Sequence, residues 1–210
     1  MNKRFIAVIL IALAVLAGAV FMSKSKTAND PDARPSSNYY GKLDSEVTLT
    51  EYVDFQCEAC YAYYPIVKQV KELYKDKVRF QVANFPITNS HQFAMQAARS
   101  AEAAARQNKF WEMHNKLFET QKIWEREKNV TATFEGYAEE LGLDMDKYRA
   151  DVVSSDVFSV INKDLADINK LGGNGTPSFV LNGKLIESPG KTVEGFKKLL
   201  DNALAEADKN

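Results

Sequence analysis

Cysteine is scarce in this chain, with two in 210 residues, and so is histidine, also with two. The two cysteines are three apart, Cys57-Glu58-Ala59-Cys60. A purely structural bridge between them would constrain almost none of the unfolded chain, because loop-closure stabilisation grows with loop length. A zinc centre built from Cys57, Cys60, His91 and His114 fares no better. Twenty-two residues separate the histidines, against the three to five of a zinc finger. Acid is missing from the first 26 residues, which carry Lys3, Arg4, Lys24 and Lys26; without those four of its 27 basic residues the chain has 23 against 28 acidic ones, a net charge of −5. That remainder has no Lys/Arg cluster, which argues against nucleic acid as a partner.

Charge of either sign is missing from residues 5–22, a strongly apolar run of eighteen residues. At ~1.5 Å per residue it nearly crosses a hydrocarbon layer of ~30 Å. Residues 1–22 therefore read as a signal anchor or a signal peptide. Lys3 and Arg4 stay cytoplasmic by the positive-inside tendency, so the rest of the chain is expected outside the cytoplasm, on the periplasmic or extracellular face of the cell membrane. Ala17-Gly18-Ala19 resembles a cleavage site, yet the apolar run continues through Val20-Phe21-Met22, which suits a retained single-pass anchor. Residues 23–38, rich in Ser, Lys, Asp, Asn and Pro, have the composition of a linker.

What is present points to redox chemistry. Disulfides persist outside the cytoplasm, and the cysteine pair sits where a strand turns into a helix. Residues 47–55 (VTLTEYVDF) are β-branched and aromatic, while Tyr64, Val67, Val70, Leu73 and Tyr74 recur at helical spacing. At the first turn of that helix Cys57 faces free backbone N–H groups and the positive end of the helix dipole, which favour the thiolate that attacks in exchange. Cys60, one turn deeper on the same face, closes the ring and resolves a mixed disulfide. Glu51 is the third candidate. In strict alternation it shares a strand face with Val47, Leu49, Val53 and Phe55. A carboxyl there is costly to bury ionised and suits a proton relay for Cys60, unless that face opens to solvent. Asp54, on the other face, reads as a loop or capping residue.

The order of elements predicts an α/β fold interrupted in the middle. The expected elements are strand 47–55, helix 60–74, strand 78–84, a helical insertion over 90–171, strands 178–181 and 184–187, and a helix over 193–205. The two flanking parts, 39–89 and 172–208, form one domain. The insertion carries a core-facing stripe, Val157, Ile161, Leu165, Ile168 and Leu171, ended by Gly172. Ala94, Ala97, Ala98, Ala101 and Ala105 mark close helix packing. Asn182-Gly183 makes the last two strands an antiparallel hairpin. His91 and His114 read as ordinary helix or cap residues.

Glu51-Tyr52-Val53-Asp54-Phe55-Gln56 before Cys-x-x-Cys, with Asn84-Phe85-Pro86-Ile87 and His91, Lys109-Phe110-Trp111-Glu112-Met113-His114, and Gly175-Thr176-Pro177-Ser178-Phe179, resembles the DsbA-like branch of the thioredoxin superfamily from about residue 40 to 200. The resemblance implies a thioredoxin fold with an inserted helical domain. It also implies a cis Pro177 beside the cysteines, and Thr176 presenting backbone groups to an extended substrate peptide. By the same resemblance the protein introduces or rearranges disulfides in reduced secreted or surface proteins. It uses no cofactor or metal beyond its dithiol, and a membrane quinone-linked partner resets it. The chain departs from strongly oxidising members, which usually begin the inner dipeptide with Pro, by having Glu58-Ala59. A negative charge beside Cys57 opposes the thiolate, so a reductase or isomerase stays open, as does Cu(I) binding by the two thiols.

Overall fold

The structure, a computed structural model, describes residues 38–209. The expected apolar segment 5–22, and the linker as far as residue 37, lie outside that range. Among the described residues no helix is long and apolar enough to cross a membrane. Asn38 is not linker: it opens β1 (Asn38–Gly41). Four residues are too few to show a strand period. What makes them a strand is pairing with β3, and the Asn38 amide donates to Glu102 Oε1 at 2.8 Å.

A five-stranded sheet carries the molecule, in the order β1-β3-β2-β4-β5. β2 (Thr48–Val53) and β3 (Arg79–Asn84) are parallel, joined by α1 (Glu58–Tyr74). β4 (Ser178–Leu181) runs antiparallel to β2 and forms a hairpin with β5 (Lys184–Ile186). Asn182 and Gly183 both take positive φ, +48° and +77°, as a two-residue hairpin turn of this hand requires.

Six helices lie between β3 and β4: α2 (Ala94–Ala105), α3 (Phe110–Glu119), α4 (Gln121–Trp124), α5 (Thr131–Glu140), α6 (Met145–Val152) and α7 (Ser155–Lys170). The chain then ends its described part in α8 (Val193–Ala207). Alanine dictates the position of α2. Ala94, Ala97, Ala98 and Ala101 are buried, as are Ala103 and Ala104, so neighbouring helices approach its backbone closely. α7 ends in paired turns, with Gly172 N–H donating to Asn169 O and Gly173 N–H to Ile168 O, both at 3.0 Å. Gly172 takes φ +85° there. Its expected stripe is buried at Val157, Ile161 and Ile168, but Leu171 is exposed, because it lies past the last helical residue.

Two cores meet on one face of the sheet. Val47, Leu49, Val67, Val70, Phe80, Phe179 and Phe196 pack under α1 and α8. Val53, Phe55, Val82 and both cysteines join the helices, with Phe118, Trp124 and Phe134. The opposite face packs Tyr52, Ala83 and Val180 on Ile168 of α7. Asn84 ties the layers together: its amide donates to Glu102 Oε1 and Asp164 Oδ2, each at 2.8 Å. The stripe on α1 needs one correction. Leu73 is 55% exposed, and the buried positions are Cys60, Tyr63, Val67, Val70, Lys71 and Tyr74. A lysine thus occupies a core position on the helix that carries the cysteines.

Candidate active site

The turn from β2 into α1 is fixed by side chains from three directions. The Asp54 carboxylate accepts from Gln56 N–H and Ile87 N–H at 2.7 Å, and His91 Nδ1 lies 2.8 Å from it. Gln56 Oε1 accepts from Phe93 N–H at 2.7 Å. From α4, the fully buried amide of Gln121 donates to Phe55 O at 2.7 Å and Cys57 O at 3.1 Å. Buried carbonyls need donors: Gln121 supplies one to Phe55 O and a second to Cys57 O, which also accepts from Tyr61 N–H at 3.0 Å.

Cys57 is the N-cap of α1, extended at φ −71°, ψ 125°, so its sulfur lies at the positive end of a 17-residue helix. In the reduced pair seen here its thiol donates to Thr176 O at 3.5 Å. A hydrogen bond from the Cys60 thiol contributes most to stabilising the Cys57 thiolate. Thr176 and the N–H groups of Cys60 and Ala59 add to it, and together they bring Cys57 down to about 5 against partial burial. The Thr176 hydroxyl is buried without a partner. Cys60 is 1% exposed, and burial, with the neighbouring Cys57 thiolate, pushes its thiol well above the ordinary range. Two residues of one type, one helical turn apart, are thereby given opposite acidities. The Thr176–Pro177 bond is cis.

Glu51 is 6% exposed. The face it shares with Val53 and Leu49 is covered by α1 and the helices rather than open to water. Burial raises its carboxyl to about 7, offset in part by the Lys71 charge. Lys71 is itself pushed down to about 8 by burial. The opposing expectation for Glu58 rests on a charge held beside Cys57. Its side chain is instead 85% exposed and pairs with Lys122 Nζ at 3.4 Å, so water and a cation screen it.

Among the described residues no three His, Cys, Asp or Glu side chains converge on a metal-binding geometry. His91 holds Asp54, while His114 is stacked edge-on to Phe55 at 5.7 Å, inside the core. Two residues of this site escape sequence reasoning, while Asp54 takes the loop-capping role its position suggests. Lys71 left a trace, a charge within the 67-70-74 stripe. Gln121 left none, since 64 residues separate it from Cys57.

The thioredoxin family model matches residues 33–202 of the chain. The chain belongs to the thioredoxin family. A thioredoxin-like oxidoreductase from Silicibacter pomeroyi is 28% identical, with a TM-score of 0.65 over 90% of this chain and 99% of that one. Oxidised BdbD from Bacillus subtilis is 22% identical, with a TM-score of 0.70 over 82% and 97% of the two chains, a likeness of fold. The Na(+)/H(+) antiporter NhaA 3 of Salinispora tropica is 33% identical over 178 residues, which are 85% of this chain and 26% of the antiporter. The thioredoxin-family chain thus spans about a quarter of the length of the curated relatives it matches.

The depressed Cys57 value carries a sign that can be checked. The thiolate should titrate with a midpoint near pH 5 when followed by its ultraviolet absorbance, in wild type and not in Cys57→Ser. An unfolded cysteine titrates at about 8.5, so the contribution to stability is fully present above that pH and is lost as pH falls through about 5. The reduced protein should therefore lose stability relative to Cys57→Ser over that window. A midpoint near the ordinary thiol value would remove the basis for the assignment.

Proposed function

We propose that this chain is an extracytoplasmic dithiol oxidase, held at the membrane by residues 5–22, that passes the Cys57–Cys60 disulfide to reduced secreted or surface proteins. The observation that carries this reading is the split between the sulfurs: Cys57 brought down to about 5 at the helix start, Cys60 buried and pushed up. Stabilising the Cys57 thiolate stabilises the reduced form, and a stabilised reduced form makes the disulfide a stronger oxidant. The low value stands although Glu58 occupies the dipeptide, which favours oxidation over the reductase or isomerase direction. The match to the antiporter relatives brings with it a segment of a longer chain and not the ion transport named for the whole.

In the forward direction a client thiolate attacks Cys57 Sγ, the Cys57–Cys60 bond breaks, and Cys60 leaves and takes up a proton. A second client thiolate then attacks the client sulfur and releases Cys57 as a thiolate, so the client is oxidised and the pair reduced. Glu51, buried with a carboxyl near 7 and close enough for its charge to act on Cys60, supplies that proton and accepts it in the reverse, resolving step. Thr176, whose carbonyl oxygen lies 3.5 Å from the Cys57 sulfur, and the cis Pro177 that follows it receive the client as an extended segment. A quinone-linked membrane partner resets the pair. Residues 39–89 and 172–208 act as the redox domain and 90–171 as a helical insertion, reaching the cysteines through Gln121.

Membrane tethering predicts that the full chain stays with the membrane pellet after a high-salt wash; recovery of a soluble chain beginning near Val20 would overturn it. For the division of labour between sulfurs, Cys60→Ser should accumulate mixed disulfides between Cys57 and extracytoplasmic clients, seen as slow bands on a non-reducing gel that collapse with reductant. Cys57→Ser should give none. Metal delivery by the two thiols predicts no such bands, and equal loss of metal from either variant. Glu51→Gln should slow resolution of the mixed disulfide by about 10² and flatten its rise through pH 7, since an amide cannot take the Cys60 proton. An unchanged rate and pH profile would leave Glu51 without the relay role.

A further inference from the structure

One buried titratable side chain has no part in the scheme above. His114 is 4% exposed, set among Phe55, Tyr64, Phe110, Trp111 and Phe118 with ring centroids 5.1–5.8 Å away. Its Nδ1 lies 3.1 Å from Asn115 Oδ1. A carbonyl oxygen only accepts, so Nδ1 carries the hydrogen and Nε2 presents a bare lone pair. That Nε2 is buried and has no hydrogen-bond partner. Orphaned buried acceptors are uncommon and mark either strain or an ordered solvent molecule.

The imidazole lines a small cavity, and so do Glu51 and Lys71, with Val67 and Val82 as apolar walls. The cavity measures about 10 Å³, the least that holds one water. Glu51 and Lys71 sense each other's charge across it, yet no hydrogen bond or ion pair joins them directly. The Lys71 ammonium lies over the faces of Trp111, at 3.5 Å, and Tyr40, at 5.0 Å. His114 Nε2, which has no partner, and the polar groups of Glu51 and Lys71 thus border one water-sized space, which meets the two-to-four-partner requirement for a structural water.

We propose that His114 is a positioning residue for proton transfer: its Nε2 accepts one O–H of a single buried water whose other O–H reaches the Glu51 carboxylate and whose lone pair takes an N–H of Lys71. Fixing one O–H on the imidazole leaves the water only one way to face the acid, so the carboxylate is hydrogen-bonded, linked to the lysine and aligned for Cys60. In the resolving step Cys60 S–H gives its proton to that carboxylate. The Cys60 sulfur bonds to Cys57 Sγ as the Cys57–client bond breaks, and the client leaves as a thiolate. Burial and the Lys71 charge push His114 down to about 3, so it stays a neutral acceptor and does not store the proton. The charged and titratable groups around it are Lys71, Lys68 and Tyr64 of α1 and Glu51 of β2.

This inference rests on the relay role of Glu51, and the test separates the two. The decay of a mixed disulfide between Cys57 and a model peptide is followed against pH in wild type, His114→Phe, His114→Gln and Glu51→Gln. Loss of the water removes hydrogen bonds to the carboxylate, so His114→Phe should move the rise of the resolution rate to higher pH by about one unit. Below the midpoint that is a rate loss of about tenfold, with the rate restored above it. His114→Gln, which keeps an amide acceptor, should restore most of the profile. A uniform loss at all pH values in His114→Phe, or no change, overturns the inference while a slowed Glu51→Gln keeps the relay; an unaffected Glu51→Gln removes both. Should His114→Phe fail to fold, a high-resolution crystal structure of the wild-type chain decides. Density for one water within hydrogen-bond distance of Nε2 and Glu51 supports the inference, and its absence overturns it.

Discussion

Everything at this site depends on how the β2–α1 turn satisfies its own backbone. A strand that breaks into a helix leaves carbonyls without ladder partners and N–H groups without helical ones. Gln121 caps the carbonyls of Phe55 and Cys57, and Asp54 takes the N–H groups of Gln56 and Ile87. The N–H groups of Ala59 and Cys60, which have no acceptor within the first turn of the helix, face the Cys57 sulfur and help to lower its pKa.

The second constraint is desolvation, which acts with opposite results on acidic and basic groups of one core. It pushes Cys60 and Glu51 up, and Lys71 and His114 down. The common direction is towards neutrality, so this part of the core holds groups able to exchange a proton at moderate cost rather than fixed charges. Cys57 escapes because it lies at the rim, where hydrogen bonds to sulfur outweigh partial burial.

The helices between β3 and β4 are therefore more than a cover. They supply Gln121 to the turn and His114 to the space under the sheet, while the small side chains of α2 let them pack closely enough for both to reach. Asn84, bonded to Glu102 and Asp164 from two of those helices, holds the same layer to the end of β3.

The sequence by itself determined what is local. Alternation in residues 48–53 placed Glu51 on the face of Val53, helical spacing located α1, Asn182-Gly183 set the hairpin turn, and three-residue spacing put both sulfurs on one helix start. These follow from side-chain periods of two and 3.6 residues and from backbone preferences of single residues. Tertiary structure decided what depends on distant neighbours. It buried Glu51 instead of wetting it and let Lys71 take a core position where Leu73 was expected. It also brought Gln121 to Cys57, exposed Glu58 to water, and made a strand of Asn38–Gly41. Burial, and with it the free energy of a charge or an unpaired carbonyl, is a property of the surroundings rather than of the residue, and no local pattern encodes which helix will supply them.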